Sequence, residues 1–271
     1  MKVKRLLITL IILGSLLVAP TDSTMAAGDE LSGTIKEDGS TSVLPLAEAF
    51  ALRFMKLHPR VRVIYGGGGS GTGAKDCAKG QVDIGATSRE LKISEADLIS
   101  YPIARDGVAI IVHKDNPVDE LSLGEVARVY AGEITNWEEV GGKSGKIRLY
   151  SREEGSGTRD VFESKVMKEK DISGRAYFKK SNGEIQTAVA RDPGSIGYVS
   201  LGYIEGTKAL SIEGVKCTVE SCKKGDYPLV RRLYFHTKGT PDEPVKAFID
   251  FCRSEEGQKI VEQLDYIPLT L

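Results

Sequence analysis

Apolar positions along the chain follow two alternating periods. Val43, Leu46, Ala47, Phe50, Phe54 and Leu57 recur at helical spacing, which predicts an amphipathic helix over 43–57. Val61 to Tyr65 alternates as a strand and runs into a glycine-rich stretch, and 81–86 reads as another short strand. Gly107 to His113 is almost wholly apolar, as expected of a strand buried on both faces. Further strands are predicted at 146–150, 195–200 and 229–236, and helices at 122–131, 157–168, 184–190 and 243–264. Strands interleaved with helices imply an α/β protein of layered, mostly parallel sheets. The strands 107–113 and 229–236 flank a middle block with strands and helices of its own. They are therefore expected to cross between two lobes, 30–110 plus 233–271 forming lobe 1 and 111–232 forming lobe 2.

The first residues break this pattern. Lys2, Lys4 and Arg5 precede an apolar run from Leu6 to Ala19, and small residues follow at Ala26 and Ala27. Residues 1–26 read as a signal peptide, because the run is shorter than the roughly 20 residues a membrane-spanning helix needs. Export to the periplasm or the outer face of the cytoplasmic membrane is the expectation, and no cysteine follows the run to carry a lipid. Without that segment the chain has 34 basic and 37 acidic residues, a net charge of −3. A balance of this sign argues against a general nucleic-acid or anionic-membrane binder. Any anion site must then be local. All four cysteines follow the leader, and Cys217 to Cys222 closes a short loop suited to a disulfide across a hairpin tip. Cys77 and Cys252 are open to either pairing or a buried thiol role. The chain has neither C-x-x-C nor paired-histidine spacing, so no metal is expected.

Three segments carry the candidate chemistry. In Ser151–Asp160 an arginine, Arg152, is followed by Ser156-Gly157-Thr158 at a predicted helix start. Hydroxyls, unpaired N–H groups and one guanidinium would converge there, as a small tetrahedral oxyanion requires. Gly39-Ser40-Thr41-Ser42 enters the first long helix, where Thr41 or Ser42 is also an ordinary N-cap candidate. Six of the eight residues from Gly66 to Gly73 are glycine, with Ser70 and Thr72 between them. Glycine allows backbone N–H groups to approach a ligand closely, and a mere linker rarely sits between a strand and a helix of one compact unit. Gly66, Gly68 and Gly71 match a dinucleotide fingerprint, but the following helix is short; Lys75 misses the P-loop position by one residue; Thr72 spoils the hydrolase elbow. For Arg152 the plain alternative is a surface ion pair with Glu153 or Glu154. His58, His113 and His236 read as structural.

Together these segments, with Val82-Asp83-Ile84-Gly85-Ala86-Thr87-Ser88-Arg89 and Ala131-Gly132-Glu133-Ile134-Thr135-Asn136-Trp137, resemble the PstS-type phosphate-binding proteins. Those are receptors of phosphate ABC transporters. The resemblance runs from about Gly33 to the C-terminal helix. It implies a two-lobed periplasmic-binding-protein fold with the ligand in the interlobe cleft, no enzymatic activity and no cofactor. It assigns Thr41, Ser42, Ser70 and Ser88 to phosphate in one lobe, and Arg152, Ser156, Gly157 and Thr158 in the other. Arg152 is expected to supply the only full positive charge. A membrane permease is the implied partner, and a monomer is expected. In longer members an aspartate follows the G-A-S segment and accepts the proton of bound phosphate. Ser88 stands at that place here, so the carboxylate that would repel sulfate is missing from it. Receptors for sulfate or molybdate therefore remain open. So does a secreted hydrolase using Ser70 or Ser156, which would need a histidine within hydrogen-bond reach.

Overall fold

A computed structural model describes residues 31–269; the expected signal peptide lies outside them. Elements run β1 (Gly33–Gly39), α1 (Leu44–Leu57), β2 (Val61–Tyr65), α2 (Ser70–Ala78), β3 (Ile84–Thr87), β4 (Leu98–His113), β5 (Glu120–Leu121) and α3 (Leu123–Ala131). They continue with β6 (Arg148–Arg152), α4 (Gly157–Phe162), β7 (Tyr177–Lys179), α5 (Asn182–Arg191), β8 (Ser195–Ser200), β9 (Thr207–Ala209) and β10 (Ser211–Ile212). The chain ends with α6 (Val219–Lys224), β11 (Val230–Lys238), α7 (Glu243–Arg253) and α8 (Glu255–Gln263).

Eight strands form one path, β2-β1-β3-β11-β4-β8-β6-β7, with β9 added beside β4. Pairs at both ends of the path are parallel, as the alternation of strand and helix predicts. The middle is antiparallel, because β11 returns against β3 and β4, and β8 against β4. β4 is much longer than its apolar stretch, since Leu98 to Asp106 pairs with β11 although its side chains are mixed.

Two apolar cores lie along this sheet. The first gathers Ile35 with Phe50 and Phe54 of α1, Phe235 of β11 and Phe248 of α7, with the Phe54 and Phe248 rings 5.2 Å apart. The second is built on the apolar half of β4, with Phe162 stacked on Tyr198 at 4.1 Å and Tyr130 packed at 4.7 Å from Phe162. Each such buried ring contributes about 1.5–3 kcal/mol relative to exposure. Core membership changes between Ala104 and Val108 on β4, and between Leu229 and Leu233 at β11. Those two strands serve both cores.

Several local expectations change. The predicted helix 243–264 is two helices, because Ser254 ends α7 and caps α8 by accepting the Gly257 N–H at 3.2 Å. Helix 157–168 becomes α4 followed by a π-helical turn, Glu163–Met167. The hairpin tip expected at Cys217–Cys222 is instead the Thr218-capped helix α6, and no disulfide forms among the described residues. The Cys217 and Cys222 sulfurs face Gly107 as thiols; a Cβ there would lie 3.0 and 2.8 Å from them. Cys77 donates to the His236 carbonyl at 3.3 Å, and Cys252 lies in the first core, so these two are separate buried thiols.

Candidate functional site

The site lies where the first core's loops meet the second core's. β1 ends at Gly39, whose φ of 151° and close approach to Ala86 exclude a side chain: a Cβ would lie 2.1 Å from the Ala86 carbonyl oxygen. The chain then turns through Ser40-Thr41-Ser42. Neither Thr41 nor Ser42 caps α1, whose N-cap is Val43 without a side-chain bond. Ser40 holds the turn instead, accepting the Ser42 N–H at 3.2 Å. This frees the buried Thr41 and Ser42 hydroxyls to face the second core.

The glycine loop is fixed rather than slack. Asp38 Oδ1 accepts the Gly39 and Gly68 N–H groups at 2.7 and 2.9 Å, and Gly69 donates to the Gly39 carbonyl at 2.6 Å. Gly71 donates to the Gly155 carbonyl at 2.9 Å, and a Cβ on it would come within 3.2 Å of Gly155. Ser70 starts α2 and accepts the Ser88 N–H at 3.2 Å, with the two hydroxyls 3.4 Å apart. Opposite them is Gly157, where a Cβ would meet Ser70 Oγ at 2.4 Å and Ser88 Oγ at 2.8 Å. Thr158 reaches across to Ser42 at 3.1 Å between hydroxyl oxygens.

Arg231 joins these groups. Its Nη1 donates to Ser88 Oγ at 3.1 Å and Thr158 Oγ1 at 2.9 Å, and its Nη2 to Ser42 Oγ at 2.8 Å. The other edge of the guanidinium, Nε and Nη2, donates to Asp106 Oδ2 at 2.9 and 2.7 Å. Asp106 is wholly buried and also accepts the Ser200 hydroxyl and the Leu201 N–H. Asn182 completes the ring, its Nδ2 donating to Thr41 Oγ1 at 3.0 Å and Ser42 Oγ at 2.9 Å while its Oδ1 accepts the Ser200 N–H.

Of the eight residues expected from sequence, Thr41, Ser42, Ser70, Ser88, Gly157 and Thr158 come together in this way. Ser156 lies beside them as the N-cap of α4, accepting the Arg159 N–H at 3.3 Å. Arg152 is buried but forms no ion pair with Glu153 or Glu154. Its Nε and Nη2 donate to the carbonyls of Lys179 and Lys180, and its Nη1 is fully buried without a partner. Burial, aided by Arg231 and opposed by Tyr198, pulls the Arg152 guanidinium down to about 10. Arg152 was expected to supply the only full positive charge; the charge that touches these hydroxyls is Arg231. It stands in an apolar strand at Leu229-Val230-Arg231-Arg232-Leu233, and such an interruption is a readable signal of a buried charge. Asp106, just before the Gly107–His113 run, is its counterpart. Asn182 gives no sequence signal beyond its place near a helix start.

A model of the PBP superfamily domain matches residues 24–256. The phosphate-binding protein PstS of Bacillus subtilis is 34% identical over 259 residues, covering 92% of this chain and 86% of the relative. The chain belongs to the PstS family. Two solved family structures agree with the fold. A substrate-binding protein of a phosphate ABC transporter from Clostridium perfringens, solved with phosphate bound, superposes with a TM-score of 0.85 at 37% identity, covering 88% of this chain and all of that one. A phosphate transport receptor from Vibrio cholerae gives 0.74 at 35% identity, covering 87% and all of its chain. The family's α/β fold is thus present.

Proposed function

We propose that the protein binds inorganic phosphate outside the cytoplasmic membrane and delivers it, as a monomer, to the permease of a phosphate ABC transporter. The observation that carries this is a connected cluster of five buried hydroxyls: Ser42, Ser88 and Thr158 bond the Arg231 guanidinium, Ser70 lies with Ser88 against the bare Cα of Gly157, and Thr41 is tied in through Asn182. Hydroxyl protons rotate, so each can turn from its neighbour to an anion oxygen, while the guanidinium fork serves two oxygens at once. With Arg152 as the second arginine of the cage, two guanidinium charges would outweigh the buried Asp106 carboxylate, a local positive charge that the whole-protein charge of the opposite sign does not supply.

The two cores act as the two lobes, expected at 30–110 plus 233–271 and 111–232, although Val108, Ala109, Ile110 and Ile267 pack in the second core. Residues 1–26 are removed on export. Each lobe holds part of the cage. Closure brings the parts together and strengthens every bond as water leaves. The anion therefore favours the closed form by its differential affinity, and a permease can read that form. The hydrolase reading finds less support: Ser70 bonds to Ser88, Ser156 caps α4, and His236 bonds to Thr87 and Ser100. Calorimetric titration of phosphate-stripped protein should give one-to-one phosphate binding. Absence of binding would overturn the receptor reading, and turnover of a chromogenic phosphate ester lost in Ser156→Ala would replace it with the hydrolase.

A further inference from the structure

Outside the cage, one charged cluster joins the elements of the two cores. Arg89 follows β3, whose Ile84 and Ala86 belong to the first core, and it directly succeeds the cage residue Ser88. Asp160 lies in α4, whose Val161 and Phe162 belong to the second core, two residues after Thr158. Arg89 Nε donates to Asp160 Oδ2 at 2.6 Å, and Lys92 Nζ reaches Asp160 Oδ1 at 3.1 Å.

Arg89 is held ready for this contact by its own side of the molecule. Its Nη1 and Nη2 make a bidentate pair with Glu95 at 2.7 and 2.9 Å, and Nη1 also donates to the Glu90 carbonyl at 2.9 Å. Glu95 is fixed in turn by the Lys92 N–H at 2.8 Å. Only the Nε edge is left for the second core; Arg89 is 6% exposed and the Asp160 side chain 24%, so the bond between them is partly buried. Separating the cores would leave the Glu95 pair intact and break the contacts of Arg89 and Lys92 with Asp160. A guanidinium so organised loses little freedom when Asp160 arrives.

We propose that Arg89 and Asp160 are positioning residues for the bound anion: their ion pair latches the closed form and sets how slowly the anion leaves. The proposal rests on the receptor reading. Because the pair forms only as the cage closes, it acts on dissociation and leaves the encounter step alone. A partly buried charge-assisted bond is worth enough to change a rate roughly ten-fold.

The test is stopped-flow phosphate release from wild type, Arg89→Gln, Asp160→Asn and the double variant, with thermal melts as a folding control. Release should be roughly ten-fold faster in each single variant and no faster in the double, with association within about two-fold of wild type. Rescue by Arg89→Lys should be partial, since lysine keeps the charge but not the fork. Unchanged release, or fully additive effects, would overturn the latch. If wild type binds no phosphate, the receptor reading fails separately. The latch is then read from small-angle scattering of the anion-free protein, where a larger radius of gyration for Asp160→Asn supports it and an unchanged one overturns it.

Discussion

Replacing Arg231 with alanine should do two separable things. Asp106, 0% exposed, would lose both guanidinium bonds and keep only Ser200 and Leu201 as donors. Removing one partner of a buried ion pair costs about 3–5 kcal/mol, because the other charge stays in the interior uncompensated. For a chain of this size that is a fall in Tm of roughly 6–20 °C. The same substitution removes the donors at Nη1 and Nη2. If these serve two anion oxygens at about 1.5–3 kcal/mol each, phosphate binding weakens by about 3–6 kcal/mol, on the order of a hundred- to ten-thousand-fold in Kd. The two losses can be told apart by adding Asp106→Asn, which takes away the stranded charge. Thermal melts and calorimetry on Arg231→Ala and on Arg231→Ala/Asp106→Asn make the comparison. The double variant should regain most of the lost Tm and none of the lost affinity. Phosphate binding within about ten-fold of wild type in the stable double variant would show that Arg231 only neutralises Asp106, and the account of the cage would be wrong.

Three further outcomes follow from the geometry. Gly157→Ala places a methyl group 2.4 Å from Ser70 Oγ and should weaken phosphate binding at least ten-fold by calorimetry; unchanged affinity would mean that the anion does not sit against Gly157. Ser88→Asp puts a carboxylate where the Ser88 hydroxyl now meets Arg231 Nη1 at 3.1 Å, a place from which it can accept the phosphate proton and repel sulfate. The ratio of sulfate to phosphate Kd should rise, and a constant ratio would remove Ser88 from the selectivity argument. His236 accepts from Ser100 and donates to Thr87, whose hydroxyl proton is committed to the Arg89 carbonyl; burial pushes its pKa down to about 4, with Arg89 adding to the fall and Glu95 opposing it. The unfolded chain then binds more protons between about pH 6.5 and 4, so stability should decline by up to about 3 kcal/mol as pH falls through that window. His236→Gln should flatten this limb of a Tm–pH curve; an unchanged slope would place the titration elsewhere.

Much of this could be read from the chain because the signals were periodic or compositional. Phe50 and Phe54 lie on one helical face, and Gly107–His113 could only be buried. The glycine run and the two Ser/Thr-rich turns marked the places where backbone and hydroxyls come close. What escaped was set by long-range contact. Arg231 and Asp106 are 125 positions apart and meet only because β11 and β4 pair antiparallel, a pairing that no local pattern encodes. Asn182 acts through hydroxyls 140 and 141 residues away. The Cys217–Cys222 spacing misled only as to the hairpin: the two buried thiols lie side by side at Gly107, but Thr218 caps a helix there. Ser254 broke the last predicted helix in the same way.

Competition between phosphate and sulfate on the stripped protein tests the central claim most directly. Calorimetric titration with phosphate, repeated in a large excess of sulfate, should give the same one-to-one binding in both cases. Phosphate heat that vanishes in sulfate, or that never appears, would mean that the cage of hydroxyls and arginine was built for a different anion.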